Sequence, residues 1–206
     1  FNILVMKILV QQQKALNMLD IAAKFVSKNS TLPILQNIYL KASIDSLLIR
    51  ATDMEKYVEI EIPCEVQIEG AITINAKTFL DILKTIESEN IELSVDQKTN
   101  IMTIKTPKDT FDINGIAASE YVALPEVPQE NSFVLDTLAF SKGIDHVEYA
   151  VTEKSFSPVL TGVLMKTGKW DASNKLIFVG TDSFRLSEYR VNHTNASDFS
   201  LIMPKA

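Results

Sequence analysis

Hydrophobic and polar residues follow two repeating patterns along this chain, one typical of helices and one typical of strands. Apolar residues recur at three- and four-residue steps over residues 11–27 and 76–87, which predicts two amphipathic helices. Over residues 56–62, valine and isoleucine alternate with glutamate, which predicts a strand with one buried face. Other apolar stretches predict strands at residues 7–10, 34–42, 46–52, 71–75, 91–95, 102–106, 111–116 and 132–135, and a third helix at residues 136–151. We therefore predict the α+β fold class, with helices packed on antiparallel sheets.

One sequence pattern occurs twice in the chain. Residues 32–41, LPILQNIYLK, correspond to residues 157–166, SPVLTGVLMK. Each copy continues into an apolar stretch that ends in Thr-Asp, first at Thr52 and then at Thr181. A period of about 125 residues is the length of a domain and is too long for a solenoid repeat. The pattern predicts a tandem duplication of one small domain.

The repeat also predicts where the domains begin and end. We expect one domain at residues 6–127 and a second at residues 128–206, joined by the polar, proline-bearing segment 125–131. The last residues of the chain match the strand that precedes the second helix of the first copy, so we expect the second domain to be incomplete. Residues 1–5 precede a Met-Lys pair and are expected to be an extension or non-native.

Charge and composition narrow the classes of function. The net charge is −6 and the isoelectric point is near 5.0, which argues against a protein that holds nucleic acid through bulk positive charge. A small basic face is still compatible with an acidic total. The single cysteine, Cys64, excludes an internal disulfide and favours a cytosolic protein. No apolar stretch is long enough to span a bilayer, and the N-terminus does not resemble a signal peptide.

Motifs for catalytic chemistry are missing from the sequence. The six glycines form neither a phosphate-binding GxGxxG or Walker loop nor a G-x-S-x-G elbow. His146 and His193 have no carboxylate or cysteine at metal-ligand spacing. Glu55, Glu59 and Glu61 have the spacing of a solvent-facing strand surface. We therefore predict no catalytic residue, no metal and no cofactor.

The repeated aspartates, Asp53 and Asp182, leave two interpretations open. An aspartate in such a position commonly accepts hydrogen bonds from the backbone of a turn, so one prediction is that each side chain stabilises a turn. Alternatively, the chain is a duplicated α+β enzyme in which the two carboxylates form a symmetric site. Position distinguishes them, because catalytic carboxylates share one cleft, whereas turn-capping carboxylates lie one in each domain.

Four motifs carry a family resemblance. They are TLPIL with ATDME at residues 31–35 and 51–55, NAKTFLDIL at residues 75–83, GTDSFRL at residues 180–186 and IMPK at residues 202–205. Together they resemble the bacterial sliding clamp, the beta subunit of DNA polymerase III, over about residues 6–206. The resemblance implies the DNA-clamp fold, in which a full-length subunit is three copies of one α+β domain. It also implies that two full-length subunits close head to tail into a homodimeric ring.

The resemblance further implies a function. A sliding clamp encircles double-stranded DNA without sequence preference and tethers the replicative polymerase, as a cytoplasmic and non-enzymatic processivity factor. Such a ring needs only a mildly basic inner face, which is compatible with an acidic total. The lysines expected to face DNA lie on the predicted helices, at the end of the third helix or at the start of the next. They are Lys24, Lys28, Lys77, Lys84, Lys154 and Lys205.

Two more surfaces follow from the resemblance. A pocket for short motifs of the polymerase III catalytic subunit, the clamp loader and other partners is expected at Leu160, Thr181, Ser183, Phe184, Arg185 and Leu186. The alternative for Leu160 and Leu186 is that both are core residues. The ring interface is expected at Thr78, Ile82, Lys108 and Ile113, with both isoleucines exposed. A third interpretation is a stand-alone peptide-binding module derived from a clamp.

Overall fold

The computed structural model describes residues 4–27, 32–96, 98–123, 134–170, 173–192 and 198–205. The chain forms two compact units, Phe1–Pro125 and Glu126–Ala206. Several predicted features lie outside the described residues, namely residues 1–3, Lys28, the predicted linker at residues 125–131 and His193. In the part of the chain that the structure describes, no helix is long and apolar enough to cross a membrane.

The first unit alternates strands with two α-helices. Its elements are β1 (Leu4–Gln11), α1 (Gln12–Ala22), β2 (Asn37–Ser43), β3 (Ser46–Thr52), β4 (Tyr57–Pro63), β5 (Glu65–Ile68), β6 (Gly70–Asn75), α2 (Ala76–Thr85), β7 (Asn90–Asp96), β8 (Ile101–Lys105) and β9 (Thr110–Ala117). The strands pair in the order β4-β3-β2-β6-β9-β8-β7-β1-β5. Every pairing is antiparallel.

Both helices of the first unit pack on the sheet through their apolar faces. Ala15 and Leu19 of α1 and Phe79 and Leu83 of α2 are buried in one core together with the inner faces of the strands. The Gln12 side-chain amide donates to the Leu83 carbonyl oxygen at 2.7 Å, so the start of α1 is tied to the end of α2. The two helices therefore lie side by side.

The first predicted helix is shorter than its apolar pattern suggested. The prediction ran to residue 27, whereas α1 ends at Ala22. The next amides, of Lys24 and Phe25, donate to carbonyl oxygens three residues back, which tightens the last turn. The Ser27 amide then donates to the Leu35 carbonyl oxygen at 2.9 Å. This hydrogen bond joins the end of the helical segment to the 3₁₀ helix Pro33–Gln36. Tertiary hydrogen bonding thus ends the helix before the pattern does.

The second unit contains α3 (Thr137–Asp145), β10 (Gly162–Trp170), β11 (Ser173–Thr181), β12 (Leu186–Asn192) and β13 (Ser200–Pro204). The predicted helix at residues 136–151 is divided, because α3 ends at Asp145 and a 3₁₀ helix, Glu148–Ala150, follows. Of the predicted strand at residues 132–135, residues 132 and 133 lie outside the described residues, and residues 134 and 135 are not in a strand.

The duplication predicted from the sequence is visible in the sheets. The second unit has the strand order β12-β11-β10-β13, and the first unit contains the matching run β4-β3-β2-β6. A 3₁₀ helix with proline in its first turn precedes β2 and another precedes β10. The α+β fold class with antiparallel sheets is therefore confirmed.

Candidate functional site

Lysines line the exposed faces of α1 and α2. Lys24 lies just after α1 and forms an exposed ion pair with Asp20, with 3.9 Å between Nζ and Oδ2. Lys77 opens α2 and donates to Asp81 at 2.7 Å, a hydrogen bond that raises the pKa of Lys77. Lys84 is exposed in the last turn of α2. Exposed pairs of this kind contribute little stability, so these cations are available to a polyanion.

A groove between the helices brings two of the predicted lysines together. Lys24 and Lys77 both line a cavity of about 590 Å³, whose apolar wall includes Val26 and Leu80. Lys14, which is exposed on α1, adds a cation that the sequence analysis did not select. Its spacing could have revealed it, because Lys14 lies three residues before Asn17 and six before Asp20, on the polar face of the predicted helix.

The two predicted lysines of the second unit have a different setting from the one expected. Lys154 was expected at the end of a helix, but it lies between two 3₁₀ helices because the helix breaks after Asp145. Lys205 was expected at the start of a helix, but it directly follows β13, where its amide donates to the Thr161 carbonyl oxygen at 3.0 Å. Both residues are exposed. Neither lies on a helix face.

Exposed carboxylates lie on β4 and β5, the two edge strands of the first sheet. Glu59 and Glu61 are exposed on β4, as their spacing predicted, and Glu65 is exposed on β5. Glu59 pairs with Arg50 at 2.5 Å. The net charge of −6 therefore includes exposed glutamates on both edge strands of this sheet, whereas Lys24, Lys77 and Lys84 lie on or next to the helices.

The second Thr-Asp pair organises a tight turn at residues 181–185, here called the second turn. The Thr181 hydroxyl donates to the Arg185 carbonyl oxygen at 2.8 Å and accepts from the Ser183 amide at 3.2 Å. The Asp182 Oδ1 atom accepts from the amides of Phe184 and Arg185 at 3.0 and 2.9 Å. These backbone hydrogen bonds, that of Arg185 first, hold the pKa of Asp182 below its usual value.

The first Thr-Asp pair builds the same arrangement at residues 52–56, here called the first turn. Thr52 donates to the Lys56 carbonyl oxygen at 2.8 Å, and Asp53 accepts from the amides of Glu55 and Lys56 at 3.0 and 2.8 Å. The third residue of each turn has a left-handed backbone, with φ of 77° at Met54 and 75° in the second turn. Turn stabilisation by the repeated aspartates is therefore confirmed.

The second turn exposes apolar side chains. Phe184 is 98% exposed and Leu186, the first residue of β12, is 66% exposed. Leu160 is half-buried in the 3₁₀ helix that precedes β10. The alternative that Leu186 is a core residue is therefore wrong, because Leu186 is the first residue of β12, which is the edge strand of its sheet.

Arg185 joins this surface to a residue that the sequence analysis did not select. Its Nε atom donates to Asp182 Oδ2 at 2.9 Å, and its guanidinium lies 5.9 Å from the ring centre of Tyr149. Tyr149 belongs to the 3₁₀ helix that follows α3 and is itself exposed. No local pattern signals this contact, because it depends on how the two segments fold together.

The residues expected at a ring interface are only partly exposed. Thr78 is exposed, and its amide donates to Asn75 Oδ1 at 3.0 Å, which caps α2. Ile82 is half-buried, and Lys108 is exposed in the turn after β8. The expectation that Ile113 is exposed is wrong: it is 5% exposed, because the alternation of β9 turns this side chain into the core.

The repeated aspartates lie one in each compact unit, each within its own hydrogen-bonded turn. Asp53 belongs to the first compact unit and Asp182 to the second. Each carboxylate accepts two backbone hydrogen bonds within its own turn. Among the described residues, no group of three or more His, Cys, Asp and Glu side chains is arranged to hold a metal ion.

Comparison with known families accounts for both units. Residues 6–125 match the N-terminal domain of the DNA polymerase III beta subunit, and residues 134–206 match its central domain. The chain belongs to the DNA polymerase III beta subunit family. The family resemblance inferred from the four motifs is thus confirmed.

Curated relatives and solved structures agree with this family. The beta sliding clamp of Bacillus subtilis (strain 168) is 30% identical over 190 residues, which cover 88% of this chain and 49% of the relative. The beta sliding clamp of Staphylococcus epidermidis (strain ATCC 12228 / FDA PCI 1200) is 27% identical over 202 residues, which cover 94% of this chain and 52% of the relative. The chain spans about half the length of the curated relatives it matches.

The fold is that of solved sliding clamps. The crystal structure of the DNA polymerase sliding clamp from Bacillus subtilis superposes with a TM-score of 0.87 at 27% identity, covering 97% of this chain and 54% of that one. The Helicobacter pylori beta clamp, solved in complex with 3,4-difluorobenzamide, has a TM-score of 0.85 at 27% identity, covering 97% and 55%. The predicted DNA-clamp fold is therefore confirmed.

Proposed function

We propose that this chain is part of a DNA sliding clamp, a non-catalytic processivity factor for the replicative DNA polymerase. The observation that carries the proposal is the match of two consecutive beta-subunit domains to consecutive segments of the chain. In the full-length protein, two subunits close into a homodimeric ring around double-stranded DNA in the cytoplasm. Partner proteins dock on the ring through short peptide segments.

The helix face supports the DNA-binding part of the proposal. Lys77 and Lys84 are exposed on α2, Lys24 is exposed just after α1, and Lys24 and Lys77 line one groove. Asp20 and Asp81 offset part of this charge, so attraction to phosphates is modest. A modest and sequence-independent attraction suits a protein that must slide along DNA.

The second turn supports the peptide-docking part of the proposal. Phe184 and Leu186 offer apolar surface, and Arg185 offers hydrogen-bond donors beside it. One polar group at the edge of an apolar patch is the arrangement that orients an extended peptide with large apolar anchors. We assign the polymerase III catalytic subunit and the clamp loader to this class of partner.

The alternative of a duplicated carboxylate enzyme is less well supported. Asp53 and Asp182 are both engaged in turn hydrogen bonds and lie next to their own cations, Lys56 and Arg185. A depressed pKa also makes Asp182 a poor proton donor near neutral pH. The remaining alternative is a stand-alone peptide-binding module. Such a module would not bind DNA through the helix lysines, whereas a clamp would.

DNA binding by the 206-residue chain tests the proposal and separates it from that module. We expect weak binding to any duplex, measured by fluorescence anisotropy across a salt series. Each lysine paired with a phosphate adds about 0.9 to the slope of log affinity against log salt. Replacing Lys24, Lys77 and Lys84 with alanine should therefore reduce that slope by about 2.7.

The matched control removes three exposed lysines that lie away from α1 and α2, namely Lys41, Lys98 and Lys105. It makes the same change in net charge and should leave the salt slope nearly unaltered. Equal slopes for the two triple variants, or a preference for one DNA sequence, would contradict the clamp assignment and favour the module.

A further inference from the structure

Arg185 is held on two sides while its side chain remains accessible. Asp182 Oδ2 accepts from Nε at 2.9 Å, and the Tyr149 ring lies 5.9 Å from the guanidinium carbon. The Arg185 side chain is nevertheless 59% exposed. A planar guanidinium that is held at Nε and lies over an aromatic ring keeps its outer N–H groups in one direction.

The segment that carries Tyr149 is itself fixed against the base of the second turn. Ser187 Oγ donates to the His146 carbonyl oxygen at 2.7 Å. At Gly180, a Cβ atom would lie 2.2 Å from the Val147 carbonyl oxygen, so only glycine lets this segment pack so closely on β11. The segment that leads into Tyr149 is therefore held against β11 and β12 by contacts at His146 and Val147.

The same segment also reaches the other predicted docking residue. The Thr152 amide, a few residues after Tyr149, donates to the Leu160 carbonyl oxygen at 3.2 Å. A chain of backbone contacts thus runs from the second turn through the Tyr149 segment to Leu160. The orientation of Arg185 and the position of Leu160 are set by one connected piece of structure.

The first turn shows what the scaffold does without these additions. Lys56 occupies the position of Arg185, its Nζ atom lies 3.8 Å from Asp53 Oδ2, and its side chain is only 23% exposed. Lysine offers a point charge rather than a planar set of donors. The turn alone therefore does not present an accessible, oriented donor group.

We propose that Asp182 and Tyr149 are positioning residues that make Arg185 a hydrogen-bond donor to the backbone carbonyl groups of a neutral, apolar peptide, rather than an ion-pair partner for an acidic one. The inference rests on the proposed peptide-docking function of the second turn. Asp182 already offsets the guanidinium charge, so a second carboxylate would gain little and would meet the repulsion of the first. A neutral carbonyl oxygen meets no such repulsion.

The test compares two blocked peptides with the same leucine and phenylalanine anchors, one with serine and one with aspartate between them. Affinities are measured by NMR titration of the 206-residue chain at about 50 and 300 mM NaCl. For the unaltered chain we expect the neutral peptide to bind at least as tightly as the acidic one, with a salt effect below about twofold.

Asp182→Asn is the central variant, because its side-chain oxygen can still accept the two backbone hydrogen bonds of the turn. We expect the acidic peptide to gain about two- to fivefold in affinity at low salt, and to lose the gain at high salt. Asp53→Asn makes the same change in the first turn and should alter neither affinity.

Tyr149 is tested by two substitutions. Tyr149→Leu removes the ring and should weaken both peptides about two- to fivefold, whereas Tyr149→Phe retains the ring and should bind as the unaltered chain does. The rescue by phenylalanine separates orientation of Arg185 from simple loss of packing. Amide spectra of all variants verify that the second unit stays folded.

The outcomes separate this inference from the function on which it rests. If Leu186→Asp abolishes peptide binding but Asp182→Asn leaves the ratio of the two affinities unchanged, the positioning role is wrong and docking stands. Equal affinities for Tyr149→Leu and Tyr149→Phe would also overturn the role of the ring. If the unaltered chain binds neither peptide, or Leu186→Asp binds both normally, the docking function and this inference both fail.

Discussion

The first and second turns have the same hydrogen-bonded skeleton but expose different side chains. In each, a threonine hydroxyl and an aspartate carboxylate accept from the same backbone positions. The two turns differ in what they expose: the first exposes Met54 (65%) and Glu55, whereas the second exposes Phe184 (98%) beside Arg185. We therefore propose that the duplicated skeleton is a scaffold, and that the docking chemistry comes from the side chains that the second copy exposes.

The two units also differ in the size of the hydrophobic core among the described residues. The first unit buries one large cluster that includes both helices and the inner faces of the sheet. In the described part of the second unit, the main buried cluster is Val147, Val151, Val163, Met165, Leu176 and Phe178. A small core leaves less stability in reserve against a substitution.

The largest expected effect is that of Phe178→Ala. Phe178 is fully buried and packs edge-on against Phe140, with ring centres 6.1 Å apart. Its loss should cost about 3–5 kcal/mol, enough to abolish amide protection throughout the second unit while the first unit stays protected in hydrogen exchange.

Phe79→Ala in the core of the first unit is the matched control. Phe79 is equally buried, so the cost should be similar, about 3–5 kcal/mol. Because the cluster around it is larger, we expect weakened rather than abolished protection in the first unit. Loss of protection across the whole chain in both variants would show that the two cores do not differ as described.

The next effect concerns the residue before each Thr-Asp pair, which is Ala51 in the first copy and Gly180 in the second. Gly180→Ala would place a methyl group against the Val147 backbone and should cost about 1–3 kcal/mol. The reciprocal Ala51→Gly should cost about 0.5–1 kcal/mol, because glycine loses more conformational freedom on folding than alanine. The buried Ala51 shows that the first copy accommodates a methyl group at this position. Urea denaturation of both variants checks the order, and a cheaper Gly180→Ala would contradict the close approach.

Sequence periodicity predicted the elements whose burial is decided locally. The second helix was expected at residues 76–87 and is α2, Ala76–Thr85, since its apolar spacing and the Asn75 cap both act within a few residues. The strand at residues 56–62 is β4, displaced by one residue. The strand β5 was not predicted, because its four residues are mostly exposed.

The failures occurred where distant residues decide the local structure. The break after Asp145 accompanies the close approach of Val147 to Gly180, which no pattern near residue 145 indicates. Ile113 was expected to be exposed, but pairing with Met102 on β8 sets which face of β9 is buried. The candidate docking residues came from motif resemblance, whereas Tyr149 required the structure.

The smallest effect is the pH response of the second turn. The pKa of Asp182 is lowered chiefly by the amides of Arg185 and Phe184, so the folded state favours its ionised form. The stabilisation by Asp182 is therefore present above its unfolded pKa and is lost as the pH falls through the lower folded value. Carbon-detected NMR of the Asp182 carboxyl should show a midpoint below 3.8. A midpoint above that value would mean that the turn hydrogen bonds do not persist in solution.

The most direct test of the account is an NMR titration of the chain with the neutral leucine–phenylalanine peptide, recorded at both turns at once. Two partly buried anchors, less the cost of ordering the peptide, give an expected dissociation constant on the order of 1 mM. We predict that amide shifts cluster at Leu160 and residues 181–186, that residues 52–56 do not respond, and that Leu186→Asp removes the shifts. Equal responses at the two turns, or shifts centred away from both, would contradict the claim that one copy of a shared scaffold became the docking surface.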